Sequence, residues 1–440
     1  MALSGMVSLF APGSLAPAAL TMRPPRSLPL TRRLVAFDHC RIPLRSFDFL
    51  PRTDPLSRLH QRLLELETDA PRPASRFHRS VAAALWLAIG LLAALRFHRR
   101  YSAHVRRTHG ISARHQFADL CYGVWRHNTF PRHYYWRKLF LLPNRSAWLA
   151  NLEHRQVNDL VTDLNRALPV HRIADKFAFY QHCLATGLPT PPVLAAWRHG
   201  ERCDSPADTG DRLPAQDLFA KPIADYGSVG TLAFRYDAQR HAYHSEAGVL
   251  DSAALLEYLR QRSLGTGYIL QPRLVNGGVW ADYGDRDLCN LRIVTGRFPD
   301  GEPQLISSFL RLPSSHTTFG HDRHVLLSAV DVATGTLGPG VFREITKGSF
   351  DVHPDTGACI TGRVLPGWAA MAELTLRAHR TLPWMPFIGW DVVETSAGLH
   401  LLEANAFWGA DAAQLPGAVP LGHTAFPEIY WAWTAQNSRS

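Results

Sequence analysis

The chain has 440 residues, 46% of them hydrophobic and 19% charged, which excludes a disordered polar chain and leaves room for two or three domains. Its net charge of +10 is an N-terminal property: residues 1–150 hold 23 Lys and Arg against 7 Asp and Glu, while the remainder holds 24 against 30. A membrane surface or nucleic acid could therefore be served only by the first third of the chain. Six cysteines (Cys40, Cys121, Cys183, Cys203, Cys289 and Cys359) lie far apart with no Cys-x-x-Cys pair, which argues against a disulfide framework or structural zinc and for a reducing compartment. Of 47 basic residues four are lysine: Lys138, Lys176, Lys221 and Lys347. In so arginine-rich a chain, a lysine marks a place where a compact, flexible point charge is wanted.

In chain order, residues 1–80 read as a poorly structured basic region rich in Pro and Arg, with Leu56–Leu66 as its one helical stretch. Met1–Leu20 is apolar but has no positive n-region, so it is not read as a signal peptide. Val81–Leu95 is a run of 15 residues without a polar side chain, flanked by arginines and histidines. As a helix it spans roughly 22 Å, short of a hydrocarbon core of ~30 Å, although snorkelling arginines extend that reach. Two readings stay open, a membrane-inserted or re-entrant helix over 81–100 and a buried core helix. Residues 101–170 form an aromatic, basic helical subdomain: Phe117, Leu120, Cys121, Val124 and Trp125 recur at helical spacing. No recognition motif points to nucleic acid.

From about 171 strands and helices alternate. Asp175-Lys176 opens a helix over Phe177–Ala185, and Gly187-Leu188-Pro189-Thr190-Pro191 stops it. A strand ending in Lys221-Pro222 leads into a loop, Gly227-Ser228-Val229-Gly230, that can turn backbone N–H groups towards phosphate oxygens. Further elements are a helix over Ser252–Arg262 and strands at Tyr268–Pro272, Cys289–Thr295, Gln304–Arg311 and Val325–Val332. Asn290 and Arg292 share one face of their strand. Asp331–Gly335 and His353–Gly357 read as hairpin turns, and a helix spans Gly367–Arg380.

The most informative stretch is Phe387–Asn405, two apolar strands around a Ser-Ala-Gly turn. With Ala397 at the centre of a three-residue loop, Asp391 faces Glu403 at roughly 5 Å between Cβ atoms. Asn405 lies two residues further along the same face. Two facing carboxylates repel unless a cation neutralises them, and an oxygen-only donor set suits Mg²⁺.

These elements together resemble the ATP-grasp superfamily. The matching features are Asp175-Lys176 with the Gly-Leu-Pro segment, Lys221-Pro222 with the small glycine loop, the interlobe strand Tyr268–Pro272, and Asp391 with Glu403-Ala404-Asn405. The wording of Asn290–Thr295, His353–Gly357 and Ile388–Asp391 is most similar to the sugar-transfer-associated branch. The likeness covers residues 171–435. It departs from the D-alanine ligase branch, which has an arginine two residues before the metal Asp, where this chain has Gly389.

The resemblance implies an α+β, ATP-grasp fold: two α+β lobes (about 171–270 and 271–435) clasping ATP, preceded by a mostly helical N-terminal region. It implies an ATP- and Mg²⁺-dependent carboxylate–amine ligase working through an acyl-phosphate, with one or two Mg²⁺ ions, in cell-surface polysaccharide or sugar-conjugate biosynthesis. Lys176, Lys221, Gly227, Ser228 and Gly230 would contact the phosphates, Leu270 and Gln271 the adenine, and Asp391, Glu403 and Asn405 the metal. Arg292 and Lys221 would stabilise the transferring phosphoryl group, with Arg292 standing in for the arginine absent at position 389. The partners expected are ATP, a carboxylate and a nucleophile, with no nucleic acid. The location expected is cytoplasmic, attached to the inner membrane through 81–95 and the basic N-terminal region. Two other classes are carried beside this one: a non-catalytic ATP-binding scaffold of polysaccharide assembly, and a basic membrane-tethered interaction protein.

Overall fold

The computed structural model describes residues 50–68, 76–224, 230–284, 287–315, 325–415 and 417–437, with backbone alone at 67–68 and 76–87. Seven α-helices come first among the described residues: α1 (Pro55–Thr68), α2 (Arg76–His109), α3 (Ala113–Arg126), α4 (Pro131–Trp136), α5 (His154–Asn165), the single turn α6 (His171–Ala174) and α7 (Lys176–Ala185). α8 (Ser252–Arg262), α9 (Trp368–Arg380) and α10 (Phe426–Asn437) complete the helices that concern the site.

Fourteen strands are described: β1 (Ala195–Arg198), β2 (Glu201–Cys203), β3 (Leu218–Pro222), β4 (Leu232–Asp237), β5 (Ala242–Ser245), β6 (Gly248–Leu250), β7 (Tyr268–Pro272), β8 (Asn290–Arg297), β9 (Pro303–Leu312), β10 (Leu326–Val330), β11 (Leu337–Val341), β12 (Ser349–Phe350), β13 (Phe387–Thr395) and β14 (Gly398–Asn405). They form two antiparallel sheets, ordered β2-β1-β7-β3-β4-β5-β6 and β12-β11-β10-β9-β8-β13-β14.

Each sheet follows from the two-residue period of its strands. In the first, Leu218, Ala220 and Leu270 pack under α8 with Leu255 and Leu259, while Ile269 and Ala196 meet Phe177 and Tyr180 of α7 on the other face. In the second, Leu291 and Ile293 of β8 face α9, where Met371 and Ala378 are buried. Val294 of the same strand faces the opposite way, onto Leu59 of α1, Leu160 of α5 and Ile429 of α10. The stretch expected to be the one helix within 1–80 is thus α1, and it is built into the core of the second lobe. Position 100 is no boundary either, since α2 runs unbroken through it.

α2 packs through Ala94, Phe97, Tyr101 and Val105 against Leu120, Val124, Tyr134, Tyr135 and Phe140, the aromatic subdomain expected over 101–170. On that side the described part of the apolar run packs against the protein's own helices. Among the described residues no helix is long and apolar enough to cross a membrane.

The predicted hairpin turns are present. Asp331 Oδ1 accepts from the N–H groups of Ala333 and Thr334 between β10 and β11, and His353 is buried in its turn with Nε2 on Pro313 O at 2.7 Å. At the outer edge of the second sheet, Leu401 N–H donates to Pro189 O (2.9 Å) and Thr190 Oγ1 donates to Leu401 O (3.0 Å), so the Gly-Leu-Pro segment lies along β14.

Three buried histidines make stability pH-sensitive. Burial pushes His60, His127 and His379 each down to about 4, so they are neutral when folded and bind protons first in the unfolded chain. Their folded pKa values lie below the unfolded one, so stability is fully present above about pH 6.5 and is lost as pH falls towards 4, by at most about 1.4 kcal/mol per pH unit for each group. Chemical denaturation at pH 7.0 and 5.0 should show a clear fall at the lower pH. Equal stability at the two would contradict the burial of these rings.

Candidate active site

The site is a row of side chains across neighbouring strands of the second sheet. Arg292 on β8 is directly opposite Asp391 on β13, and Asp391 is directly opposite Glu403 on β14. Directly opposed residues of antiparallel strands point to one face, so the three side chains stand side by side. The expected Asp391–Glu403 pairing is present, by a different route. Thr395 pairs with Gly398, leaving a two-residue loop, Ser396-Ala397, and a bulge between Asp391 and Val392 restores the register. The extra residue is Leu402. Without it Asp391 would face Leu402.

Every charge in the row has a partner. Arg292 engages Asp391 with two donors, Nε on Oδ1 and Nη2 on Oδ2 (3.0 Å). Glu403 Oε1 lies 3.9 Å from Lys176 Nζ at the start of α7 and 3.7 Å from Lys221 Nζ on β3. Two elements outside the second sheet thus send lysines to the last carboxylate of the row. The facing acids are neutralised from within the chain, where the sequence suggested mutual repulsion.

Local structure places both lysines. Asp175 caps α7 by accepting from Phe177 N–H and Ala178 N–H, and Arg198 donates to its second oxygen at 2.6 Å. Lys176 N–H donates to Ile223 O (3.0 Å), which ties the helix start to the chain leaving β3 just past Lys221. Lys221 and Asp391 are both buried. Burial pushes the Lys221 ammonium down; Glu403 opposes that and Lys176 adds to it, leaving the group below its ordinary value. Burial pushes Asp391 up, but the charge and hydrogen bonds of Arg292, helped by Arg311 and Asn290, outweigh it and hold the carboxyl below its ordinary range.

The remaining predicted residues surround this row. Asn405 is buried, and its Nδ2 donates to Gly389 O (3.3 Å), which leaves the amide oxygen as the atom for a cation. Gly389 is required by what covers it: a Cβ there would lie 2.2 Å from Trp408 Cβ and 3.3 Å from Arg292 Cδ. An arginine two residues before Asp391 has no room. Arg292 occupies that space from the neighbouring strand, held also by Trp408 O at 3.2 Å. Gly230 has φ +75°, and its carbonyl accepts from Tyr268 Oη (3.0 Å), fixing the end of the glycine loop against the first sheet. Gly227 and Ser228 lie outside the described residues. Leu270 is interior to that sheet, its carbonyl taken by Leu194 N–H at 2.8 Å, whereas Gln271 is at the strand exit with Nε2 on Pro191 O (3.1 Å). Lys138 and Lys347 stand apart, on Ser349 Oγ (3.1 Å) and over the Phe342 ring (4.5 Å).

Sequence reasoning missed Arg311 and the segment after Asn405. Arg311 stands opposite Asn290, two residues along from the Arg292 row and on the same face. An arginine inside the apolar strand Phe309-Leu310-Arg311-Leu312 was the available signal. The segment carrying Trp408 is clamped to the N-terminal helices: Arg137 Nη2 donates to Asp411 Oδ1 (2.5 Å), and Gln414 exchanges hydrogen bonds with the backbone of Leu152 (3.0 and 2.6 Å).

With the geometry set, comparison with known proteins decides the family. The model of a family described as sugar-transfer-associated ATP-grasp matches residues 155–425. The chain belongs to the sugar-transfer-associated ATP-grasp family. Its fold is correspondingly α+β, two sheets with their helices behind a helical N-terminal region. A search of curated proteins finds no match. Among solved structures, N5-carboxyaminoimidazole ribonucleotide synthetase in its ADP complex aligns at 11% identity and TM-score 0.32, over 58% of this chain and 52% of that one. D-alanyl-alanine synthetase A from Vibrio cholerae O1 biovar eltor aligns at 12% and 0.35 (61% and 66%), and the ATP complex of D-alanine–D-alanine ligase from Bacillus anthracis at 11% and 0.34 (61% and 67%). The chain thus spans about half to two thirds of the structures it matches, at likenesses that carry no argument about activity.

Within an ATP-grasp site, Lys221 should act on nucleotide. Lys221→Ala is expected to weaken ATP binding by about tenfold or more, the scale of one charged hydrogen bond. Lys221→Arg should not restore it, because a planar fork does not replace a compact ammonium in a buried position. Calorimetric titration of the three proteins tests this, and equal affinities would remove Lys221 from the site.

Proposed function

We propose that this ATP-grasp protein is an ATP- and Mg²⁺-dependent ligase that joins a carboxylate to an amine, or a similar nucleophile, through an acyl-phosphate. The observation that carries the proposal is the convergence of Lys176 and Lys221 on Glu403, in the same row as Asp391 and Arg292. Phosphoryl transfer needs positioning and electrostatic stabilisation more than a covalent helper, and this array supplies both. Lys176 and Lys221 would release Glu403 to neutralise phosphate oxygens, while Arg292, fixed by Asp391 and Trp408 O, would meet the transferring phosphoryl group. The strand exit at Gln271 is where the chain would hydrogen-bond the adenine.

The donor set fits Mg²⁺. Asp391, Glu403 and Asn405 offer oxygen atoms from adjacent strands, and each Asp391 oxygen keeps a lone pair beyond the one Arg292 takes. When bound, the ion would offset phosphate charge during transfer. The family description supports a role in sugar-conjugate or cell-surface polysaccharide biosynthesis, and the basic N-terminal region supports placing the protein at the inner face of a membrane.

The second reading is an ATP-binding scaffold without turnover. It is favoured by the internal neutralisation of Asp391 and Glu403, whose charges are balanced by the chain's own Arg292, Lys176 and Lys221. ADP release measured across pooled sugar acids, amino acids and amines separates the two. Release that depends on one carboxylate and one nucleophile supports the ligase, and tight ATP binding with no release from any pool supports the scaffold.

A further inference from the structure

α2 has two faces of opposite character. One is buried in the aromatic helical core through Ala94, Phe97, Tyr101 and Val105. The other is exposed along Leu92, Arg96, Arg99, Ala103, Arg106 and Arg107, whose spacing of three and four residues makes a single stripe. Leu92 is 55% exposed at its N-terminal end. From Leu92 to Arg107 the stripe is roughly 22 Å long at 1.5 Å per residue. No acidic residue occurs between Asp69 and Asp119, although nine arginines do. Among the described residues, Glu344 reaches this helix from elsewhere and pairs with Arg100 at the flank of the stripe (2.7 Å).

We propose that this stripe docks on an anionic lipid leaflet, with α2 lying along the membrane surface. The proposal deepens the membrane placement above and is independent of the ligase chemistry. Spanning is excluded for this part of the helix, because its other face is committed to the protein's own core. Guanidinium groups suit phosphate headgroups, and Leu92 at one end gives the stripe an apolar entry into the acyl boundary. A single-stranded nucleic acid would want exposed rings for stacking, and no residue of this stripe is aromatic.

The test is flotation of the full chain with vesicles of phosphatidylcholine alone or mixed with phosphatidylglycerol. Binding should require phosphatidylglycerol and weaken as salt is raised. Each arginine at such a surface contributes about a fivefold gain in partition, so R96Q/R99Q/R107Q should lose roughly 100-fold. Leu92→Asp should weaken binding as well. All these side chains are exposed, so thermal midpoints and ATP binding should stay at wild-type values in both variants. Equal flotation on neutral vesicles, or wild-type binding by the triple variant, overturns the proposal, as does tight binding to an RNA oligonucleotide with no flotation. Because ATP binding and ADP release are read on the same variants, loss of the docking surface leaves the ligase reading standing, and the reverse holds too.

Discussion

Glu403→Gln is expected to remove ADP release, by about two to three orders of magnitude, the scale of deleting one preorganised polar group from a charge-stabilising site. The amide keeps the shape of the side chain and loses the charge that Lys176 and Lys221 share at 3.9 and 3.7 Å. It also halves the carboxylate complement of the candidate Mg²⁺ site. The fold should be unaffected, because the Glu403 side chain is 28% exposed and lies at the end of its row, whereas that of Asp391 is 9% exposed and locked by Arg292. A coupled ADP assay with a thermal unfolding curve checks both halves. Turnover within tenfold of wild type would remove Glu403 from the chemistry.

The largest stability effect is expected at Asp411. Its carboxylate accepts from Arg137, whose side chain is 3% exposed, so Asp411→Ala leaves a guanidinium buried without its counter-charge. Breaking a buried pair in this way costs about 3–5 kcal/mol. Burial pushes the Asp411 carboxyl up, but Arg137, His133 and His154 hold it well below its ordinary value. The contribution is therefore fully present above about pH 4 and is lost as pH falls further, so wild type and variant should converge in strong acid. Replacing both partners by apolar residues, Arg137→Met with Asp411→Leu, should recover most of the loss. Denaturant titrations at neutral pH decide it, and a loss under about 1 kcal/mol would mean water reaches the pair.

Part of the first lobe was legible because its elements carry local signals. Tyr268–Pro272 and Ser252–Arg262 match the predicted spans, the strand ended by a proline and the helix opened by the Asp251 cap. Short strands such as β1, β2, β5 and β6 were not read, since three or four residues are too few to show a two-residue period. The hairpin shows both the reach of pattern and its limit. Alternation located Asp391 and Glu403, but the bulge at Leu402 that makes them face each other depends on pairing between strands. Burial of Arg292 against Asp391 was likewise invisible, because it joins residues 99 positions apart. The same holds for Arg137 and Asp411, 274 apart, through which the helical N-terminal region holds the segment beyond Asn405.

One feature of the outer edge bears on how the protein behaves in a crowded cell. β14 is the last strand of the second sheet, and an edge strand offers open backbone groups to any other chain that can pair with them. Here Pro189 and Thr190 lie against Leu401 and take up both its N–H and its carbonyl. Pro189 and Pro191 have no N–H of their own to pass on, so the segment cannot seed another strand. These two prolines of the first lobe thereby also block strand addition at Leu401, midway along the edge of the second, beside the residues that would hold the nucleotide.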